Sequence, residues 1–211
     1  MEVFSDFFHK LGNLEELIRW GGLIVLVIIV FSETGLMIGF FLPGDSLILT
    51  AGLLASTGKY FTITELIVCL ILAAIIGDNT GYWFGRKTGP ALFKREDSRL
   101  FKKKYLIKAQ EFYEKHGGKT IIYARFIPFA RTFAPIVAGI TGMPYKKYIG
   151  YSISGGILWI LSMSLIGYYF GQIPFIKNNF EKVIILVILI SITPVIIGYL
   201  KSRKEKNLAG K

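Results

Sequence analysis

Four charged residues lie inside otherwise hydrophobic stretches of the chain: Glu33, Asp45, Arg125 and Arg131. An ionised side chain in a membrane segment is costly, and it usually faces the protein interior or a water-filled cavity. Two acids and two arginines sum to zero charge, so the two pairs can neutralise one another near the middle of a bilayer. These residues are therefore the best candidates for a working site.

Their chemistry suggests what the site binds and exchanges. The guanidinium group donates two parallel hydrogen bonds to phosphate or carboxylate and keeps its charge in apolar surroundings, so Arg125 and Arg131 are predicted to bind an anionic head group. Burial favours the protonated form of a carboxylic acid, whereas a nearby arginine favours the ionised form. Glu33 and Asp45 are therefore predicted to take up protons when a phosphate displaces them. A static ion-pair network is the alternative interpretation.

Asp78 and Asn79 form a third polar feature, inside the apolar stretch 66–84. Asp78 either bonds to nearby backbone or lines a cavity together with Asn79. Aromatic residues follow in the sequence GYWFG at 81–85, and we expect them, like those of GYYFG at 167–171, to lie at the membrane interface.

The elements that carry these residues are predicted to be membrane helices. The 211-residue chain is 53% hydrophobic and 18% charged. A helix needs roughly 20 apolar residues to cross a bilayer, and residues 148–176 form 29 consecutive positions without a charged side chain. The stretch 183–200 also has no charged residue, and the stretch 66–84 is interrupted only by Asp78. The sequence therefore predicts an all-α membrane protein.

Proline and glycine interrupt the two segments that contain the four charged residues. Pro43 and Gly44 precede Asp45, whereas Pro128 and Pro135 flank Arg131. Because proline removes a backbone donor and clashes one turn back, these residues are predicted to shape re-entrant hairpins buried in protein. Paired broken segments are typical of transporters.

The chain also shows signs of duplication. The GYWFG sequence at 81–85 recurs as GYYFG at 167–171, 86 positions later, and Gly-Gly pairs occur at 21–22 and 117–118. We predict two inverted repeats, about 1–85 and about 117–172, each with an amphipathic helix, a re-entrant hairpin and a transmembrane span. A terminal span at about 182–200 completes a single membrane domain over 1–211.

The distribution of basic residues predicts orientation. The net charge is +11, and eleven of the 25 lysines and arginines lie in residues 86–119, with five more in the tail 201–211. Under the positive-inside rule, the basic loop 86–119, which includes an amphipathic helix, and the tail are cytoplasmic. Nothing there resembles a base-reading module, so no nucleic-acid partner is expected. The side of the N-terminus is left open, and so is homo-oligomer formation.

Enzyme motifs are missing from the sequence. The two histidines, His9 and His116, lie outside the predicted spans, and neither a Gly-x-Ser-x-Gly nor a Walker sequence occurs. We therefore expect no enzyme activity, no cofactor and no metal site. Any energy for transport would come from a gradient or a partner.

Several motifs resemble those of the DedA family, which is related to the SNARE-associated Golgi proteins and their VTT-domain relatives. They are FSE at 31–33, PGD at 43–45, GD at 77–78 with GY at 81–82, and YARFIPFAR at 123–131. The resemblance implies that Glu33 and Asp45 correspond to the essential membrane acids of the family, and Arg125 and Arg131 to its essential arginines.

The same resemblance implies a location in the bacterial cytoplasmic (inner) membrane and movement of lipid driven by the proton motive force. Undecaprenyl phosphate is the preferred substrate, because a net-anionic head group offsets two arginines better than a zwitterionic one. Phosphatidylethanolamine, or phospholipid in general, is the alternative substrate. A non-transporting membrane scaffold that recruits anionic lipid or partners is the alternative of another class.

Overall fold

The structure, a computed structural model of the chain, describes residues 14–36, 44–94, 111 and 117–178. Several predicted features lie outside these residues: most of the N-terminal amphipathic segment, Pro43, most of the basic loop, the terminal span and the tail. The described part of the chain is helical and contains no strand. Its helices are α1 (Leu14–Gly35), α2 (Gly44–Ala55), α3 (Ile63–Lys94), α4 (Lys119–Ala124), α5 (Pro128–Ile140), α6 (Tyr145–Gln172) and α7 (Pro174–Asn178).

Two of these helices are long and apolar enough to cross a membrane, over Ile63–Gly89 in α3 and Tyr145–Gln172 in α6. At 1.5 Å per residue, each is about 40 Å long. Both turn apolar side chains outward; on α3, Val68, Leu72 and Ile76 are at least half exposed, whereas Asp78 is wholly buried. Apolar residues outside and charged residues inside are the pattern expected of a protein surrounded by lipid.

The remaining apolar helices are too short to cross a bilayer alone. They cover Gly21–Gly35, Gly44–Ala55 and Ala130–Ile140, at most 15 residues each. α1 is kinked at Gly22, whose φ of 53° is a conformation that glycine adopts without steric cost. Gly117, in the second Gly-Gly pair, has a similar φ of 66°.

The second broken segment turns at the first of its two predicted hairpin-shaping prolines, Pro128, and not at the second, Pro135. The chain turns between α4 and α5, and α5 begins at Pro128 after an extended Ile127, as a residue before proline prefers. α5 then runs through Pro135 without a break. Pro135 removes one hydrogen bond within the helix, but it packs closely against Gly81 of α3. Pro135 is therefore accommodated inside a continuous helix that packs against α3.

The short helices cross the long ones reciprocally, because α2 packs against α6 and α5 packs against α3. Glycines make both crossings. A Cβ atom added to Gly52 would collide with the backbone of α6, and one added to Gly139 would collide with the backbone of α3. These close approaches fix the position of each short helix along the long helix that it contacts.

Candidate functional site

Arg131 is the centre of the site. Its side chain is 3% exposed, and its Nε donates a hydrogen bond to Oε1 of Glu33 at 2.9 Å. Its Nη2 donates to the same oxygen, and its Nη1 donates to Oδ1 of Asp45. The structure thus brings together three of the four predicted residues. Arg131 is 86 positions from Asp45 and 98 positions from Glu33 in the chain.

The helices position these three side chains from their ends. Glu33 lies near the C-terminal end of α1, and Asp45 lies in the first turn of α2, where the helix dipole favours a negative charge. Arg131 lies near the start of α5, where the same dipole disfavours a positive charge. The two carboxylates compensate for that unfavourable position, so Arg131 is held by partners and not by its own helix.

Gly44 shapes the site directly. It begins α2, and its α-carbon lies against the carboxylate of Glu33 so closely that a Cβ atom would collide with Oε2. A side chain at this position would push Glu33 away from Arg131. Gly44 was predicted only to shape the hairpin. The structure shows that it also leaves room for the carboxylate of Glu33.

Trp159 belongs to the same cluster, and the sequence analysis missed it. Its Nε1 donates to Oδ1 of Asp45 at 2.9 Å, and its ring lies 4.5 Å from the Cζ atom of Arg131. The side chain is wholly buried in the middle of α6. The sequence did contain a signal, because a tryptophan far from both ends of an uncharged span needs an acceptor for its N–H group.

Arg125 has a different partner from the one predicted. Instead of Glu33 or Asp45, it forms an ion pair with Asp78, and its Nη2 lies 3.3 Å from Oγ of Ser152. Ser152 donates to Oδ2 of Asp78, and the hydroxyl of Tyr148 donates to the main-chain oxygen of Asp78 at 2.9 Å. The interpretation that the Asp78 carboxylate only bonds nearby backbone is therefore wrong.

Asn79 makes contacts separate from those of Asp78. It is half-buried, donates to the carbonyl of Ile75 at 2.8 Å and accepts from the hydroxyl of Tyr145 at 2.7 Å. Its contacts link α3 to the start of α6. Neighbouring Tyr82 is wholly buried and donates to the carbonyl of Met143 at 2.5 Å, so its side chain faces the protein interior. Trp83 is 54% exposed.

The charges balance differently from the prediction. The fully buried set contains two acids, Glu33 and Asp78, and two arginines, Arg125 and Arg131, and it is neutral. Asp45 is a fifth group with a side chain 36% exposed, and it brings the formal charge of the cluster to −1. Arg125 is near enough to Arg131 and Glu33 for their charges to interact, so the two ion-pair groups form one electrostatic unit.

Three buried polar atoms of this unit have no hydrogen-bond partner among the described residues: Oε2 of Glu33, Oδ1 of Asp78 and Nη1 of Arg125. Unpaired polar atoms of this kind are costly, and the other two among the described residues are hydroxyl oxygens, those of Thr50 and Ser164. The unit therefore has capacity to bind a proton or a further polar group. Within the described ranges, no three His, Cys, Asp or Glu side chains cluster in a way that would hold a metal ion.

The comparisons with known proteins cover most of these residues. The VTT domain matches residues 42–169, which include Asp45, Asp78, Trp159 and both arginines but not Glu33. The chain is 43% identical over 188 residues to the Escherichia coli (strain K12) protein named Protein DedA, covering 89% of this chain and 86% of that one.

Two other relatives are named as membrane proteins. One is an uncharacterized membrane protein of Mycobacterium tuberculosis (strain CDC 1551 / Oshkosh), 47% identical over 174 residues, 82% of this chain and 76% of that one. The other is the inner membrane protein YghB of Escherichia coli (strain K12), 31% identical over 176 residues, 83% of this chain and 80% of that one. No solved structure matches the chain.

Proposed function

Because this chain belongs to the DedA family of VTT-domain membrane proteins, we propose that it moves a phosphate-bearing lipid across the membrane, with undecaprenyl phosphate as the favoured substrate. The observation that carries the proposal is the buried guanidinium of Arg131, shared between Glu33 and Asp45. A phosphate offers the same paired oxygen acceptors as these carboxylates. A head group can therefore replace them without leaving the arginine unpaired.

In this proposal the head group reaches the site beside Asp45, whose side chain is partly exposed. Arg131 and Glu33 are both buried, whereas the Asp45 side chain is 36% exposed. A phosphate that arrives beside Asp45 competes first for the bond from Nη1 of Arg131. Displacing this outer acid costs less than displacing a buried one, because water can solvate it. Glu33 is released afterwards.

Proton coupling follows from charge balance. A carboxylate that has lost its arginine and lies beside the negative charge of a phosphate favours the protonated form. As the phosphate brings negative charge to Arg131, Asp45 and Glu33 take up protons, and they lose them when the phosphate leaves. Lipid movement is then tied to the proton gradient. Nη1 of Arg125, which has no partner among the described residues, is available to the same phosphate. In this proposal the chain is a carrier and not an enzyme.

The proposal places the site between two re-entrant hairpins of inverted repeats. Three features support this arrangement: the reciprocal crossings of α2 with α6 and α5 with α3, the positive φ in both Gly-Gly pairs, and short helices that cannot cross a bilayer. The basic loop 86–119 and the tail are cytoplasmic in this proposal, following the positive-inside rule. The relatives named as inner membrane proteins suggest the same membrane for this chain.

Reconstitution tests the proposal. The purified protein is placed in vesicles with trace amounts of fluorescent polyprenyl phosphate or phosphatidylethanolamine, and an impermeant quencher reports the fraction in the outer leaflet. We expect polyprenyl phosphate to move at least about tenfold faster, a difference of about 1.4 kcal/mol, and a protonophore to abolish the effect of an imposed pH gradient. Movement of phosphatidylethanolamine alone would contradict the favoured substrate. Movement of neither lipid would favour the scaffold.

Replacing Gly44 with alanine is expected to slow lipid movement about tenfold. The added methyl group keeps the Glu33 carboxylate away from Arg131, so the acid cannot take the guanidinium back when the phosphate leaves, and losing one charge-assisted hydrogen bond in that step costs about 1.5 kcal/mol or more. The initial rate in the vesicle assay measures the effect. Gly150→Ala is the matched control, because nothing lies within 4 Å of a Cβ atom at that position. An unchanged rate in Gly44→Ala would show that the position of Glu33 does not matter.

A further inference from the structure

We propose that Trp159 is a positioning residue, which holds Asp45 against Arg131 through its indole N–H group and supports the guanidinium with its ring face. The inference rests on the proposed function and deepens it, because it identifies what keeps the outer acid in register with the arginine. Trp159 contributes no charge of its own. It acts through the two charged groups that it contacts.

The geometry joins both partners to one rigid side chain. The indole Nε1 lies 2.9 Å from Oδ1 of Asp45, the oxygen that also accepts from Nη1 of Arg131. The Cζ atom of Arg131 lies 4.5 Å from the ring centroid, within the range of a cation–π interaction. The hydrogen bond and the ring contact fix the acid and the base relative to each other.

Trp159 is held firmly enough to do this. Its side chain is wholly buried, and it packs in a hydrophobic cluster that includes Leu47 and Ile48 of α2, the helix that carries Asp45. A large ring in a packed core has little freedom to move. Because Trp159 lies on α6, the contact also ties the second long helix to the outer acid.

The indole favours one charge state of Asp45. Its N–H group donates and cannot accept, so its hydrogen bond strengthens the ionised carboxylate more than the protonated acid. The other charged groups that face Asp45 are Arg131 from α5 and Glu33 from α1. When a phosphate takes Arg131, the indole is the donor that still holds Asp45 in place for rebinding.

Trp159→Phe tests this role in the transport assay, because phenylalanine keeps an aromatic face under Arg131 but loses the donor. Because Asp45 takes up a proton in the proposed function, the pH of half-maximal rate is expected to rise by about one unit, the effect of losing one hydrogen bond to a charged group. Trp159→Leu loses the aromatic face as well as the donor, and it is expected to lower the maximal rate about tenfold relative to Trp159→Phe. Trp83→Phe, at a tryptophan 54% exposed on α3, is the matched control. A Trp159→Phe protein with an unchanged pH profile would overturn the proposal.

Fluorescence tests the same contact without transport. The chain has three tryptophans, so the double substitution Trp20→Phe and Trp83→Phe leaves Trp159 as the only indole. We expect its emission in detergent to shift when Asp45 is replaced by asparagine, because the indole N–H group then loses its charged acceptor. If emission shifts in this way while the protein with Asp45 moves no lipid, the contact stands and the proposed function fails. Emission that ignores Asp45→Asn would refute the positioning role, whatever the transport assay shows.

Discussion

Lipid movement is expected to fall at least about 100-fold when Arg131 is replaced by lysine, although the positive charge is retained. The guanidinium reaches Glu33 and Asp45 with separate nitrogens and stacks on Trp159. An ammonium group is a compact charge without that planar fork, so it cannot reproduce these bonds together. The phosphate that replaces the carboxylates would lose the same two charge-assisted hydrogen bonds, at a cost of about 3 kcal/mol, which corresponds to roughly a 100-fold slower step. Initial rates in vesicles at a fixed pH gradient measure the loss.

Lys119→Arg is the matched control, because it exchanges the same two residue types at an exposed position at the start of α4. Its rate should equal that of the unmodified protein. The Arg131→Lys protein must also elute as a single species in detergent, so that slow transport reflects the site and not the fold. Transport at the unmodified rate in Arg131→Lys would contradict a role for paired donors and would favour a scaffold.

The meeting of Arg131 with Glu33 and Asp45 could be predicted because charge in an apolar segment limits the choice of partners. Only a few buried groups can neutralise one another, whatever the details of packing. The pairing of Arg125 with Asp78 could not be predicted in this way. It depends on how α3 lies against the turn after α4, and side-chain packing and close glycine contacts set that register. Charge counting therefore found the cluster but not its internal pairing.

The long helices were predictable for a similar reason. The stretch 148–176, which has no charged residue, and the stretch 66–84, in which Asp78 is the only one, indicated α6 and α3, because bilayer thickness sets a minimum apolar length. The continuity of α5 through Pro135 was not predicted, since the cost of an internal proline is local whereas its packing against Gly81 is tertiary. The burial of Tyr82 was missed for the same reason, because its acceptor, Met143, is 61 positions away.

Removing the carboxylate of Asp78 is expected to destabilise the protein by about 3–5 kcal/mol, because Asp78→Ala leaves the wholly buried Arg125 as an unpaired charge. In a protein of this size, such a loss lowers the unfolding temperature by roughly 10 °C. The midpoint of thermal unfolding in detergent measures it. Glu111→Gln, which removes the charge of an exposed acid, should leave the midpoint unchanged.

A double substitution separates the stabilising role of this pair from its role in transport. Asp78→Asn combined with Arg125→Gln replaces both charges with amides that can hydrogen bond to each other, and neutral replacements of buried ion pairs often retain stability. The unfolding midpoint should therefore recover most of the loss seen in Asp78→Ala. Lipid movement should nevertheless be slower than in the unmodified protein, because the proposed phosphate donor on Arg125 is gone. Recovery of both properties would show that Arg125 serves the fold alone and that Arg131 binds the head group without it.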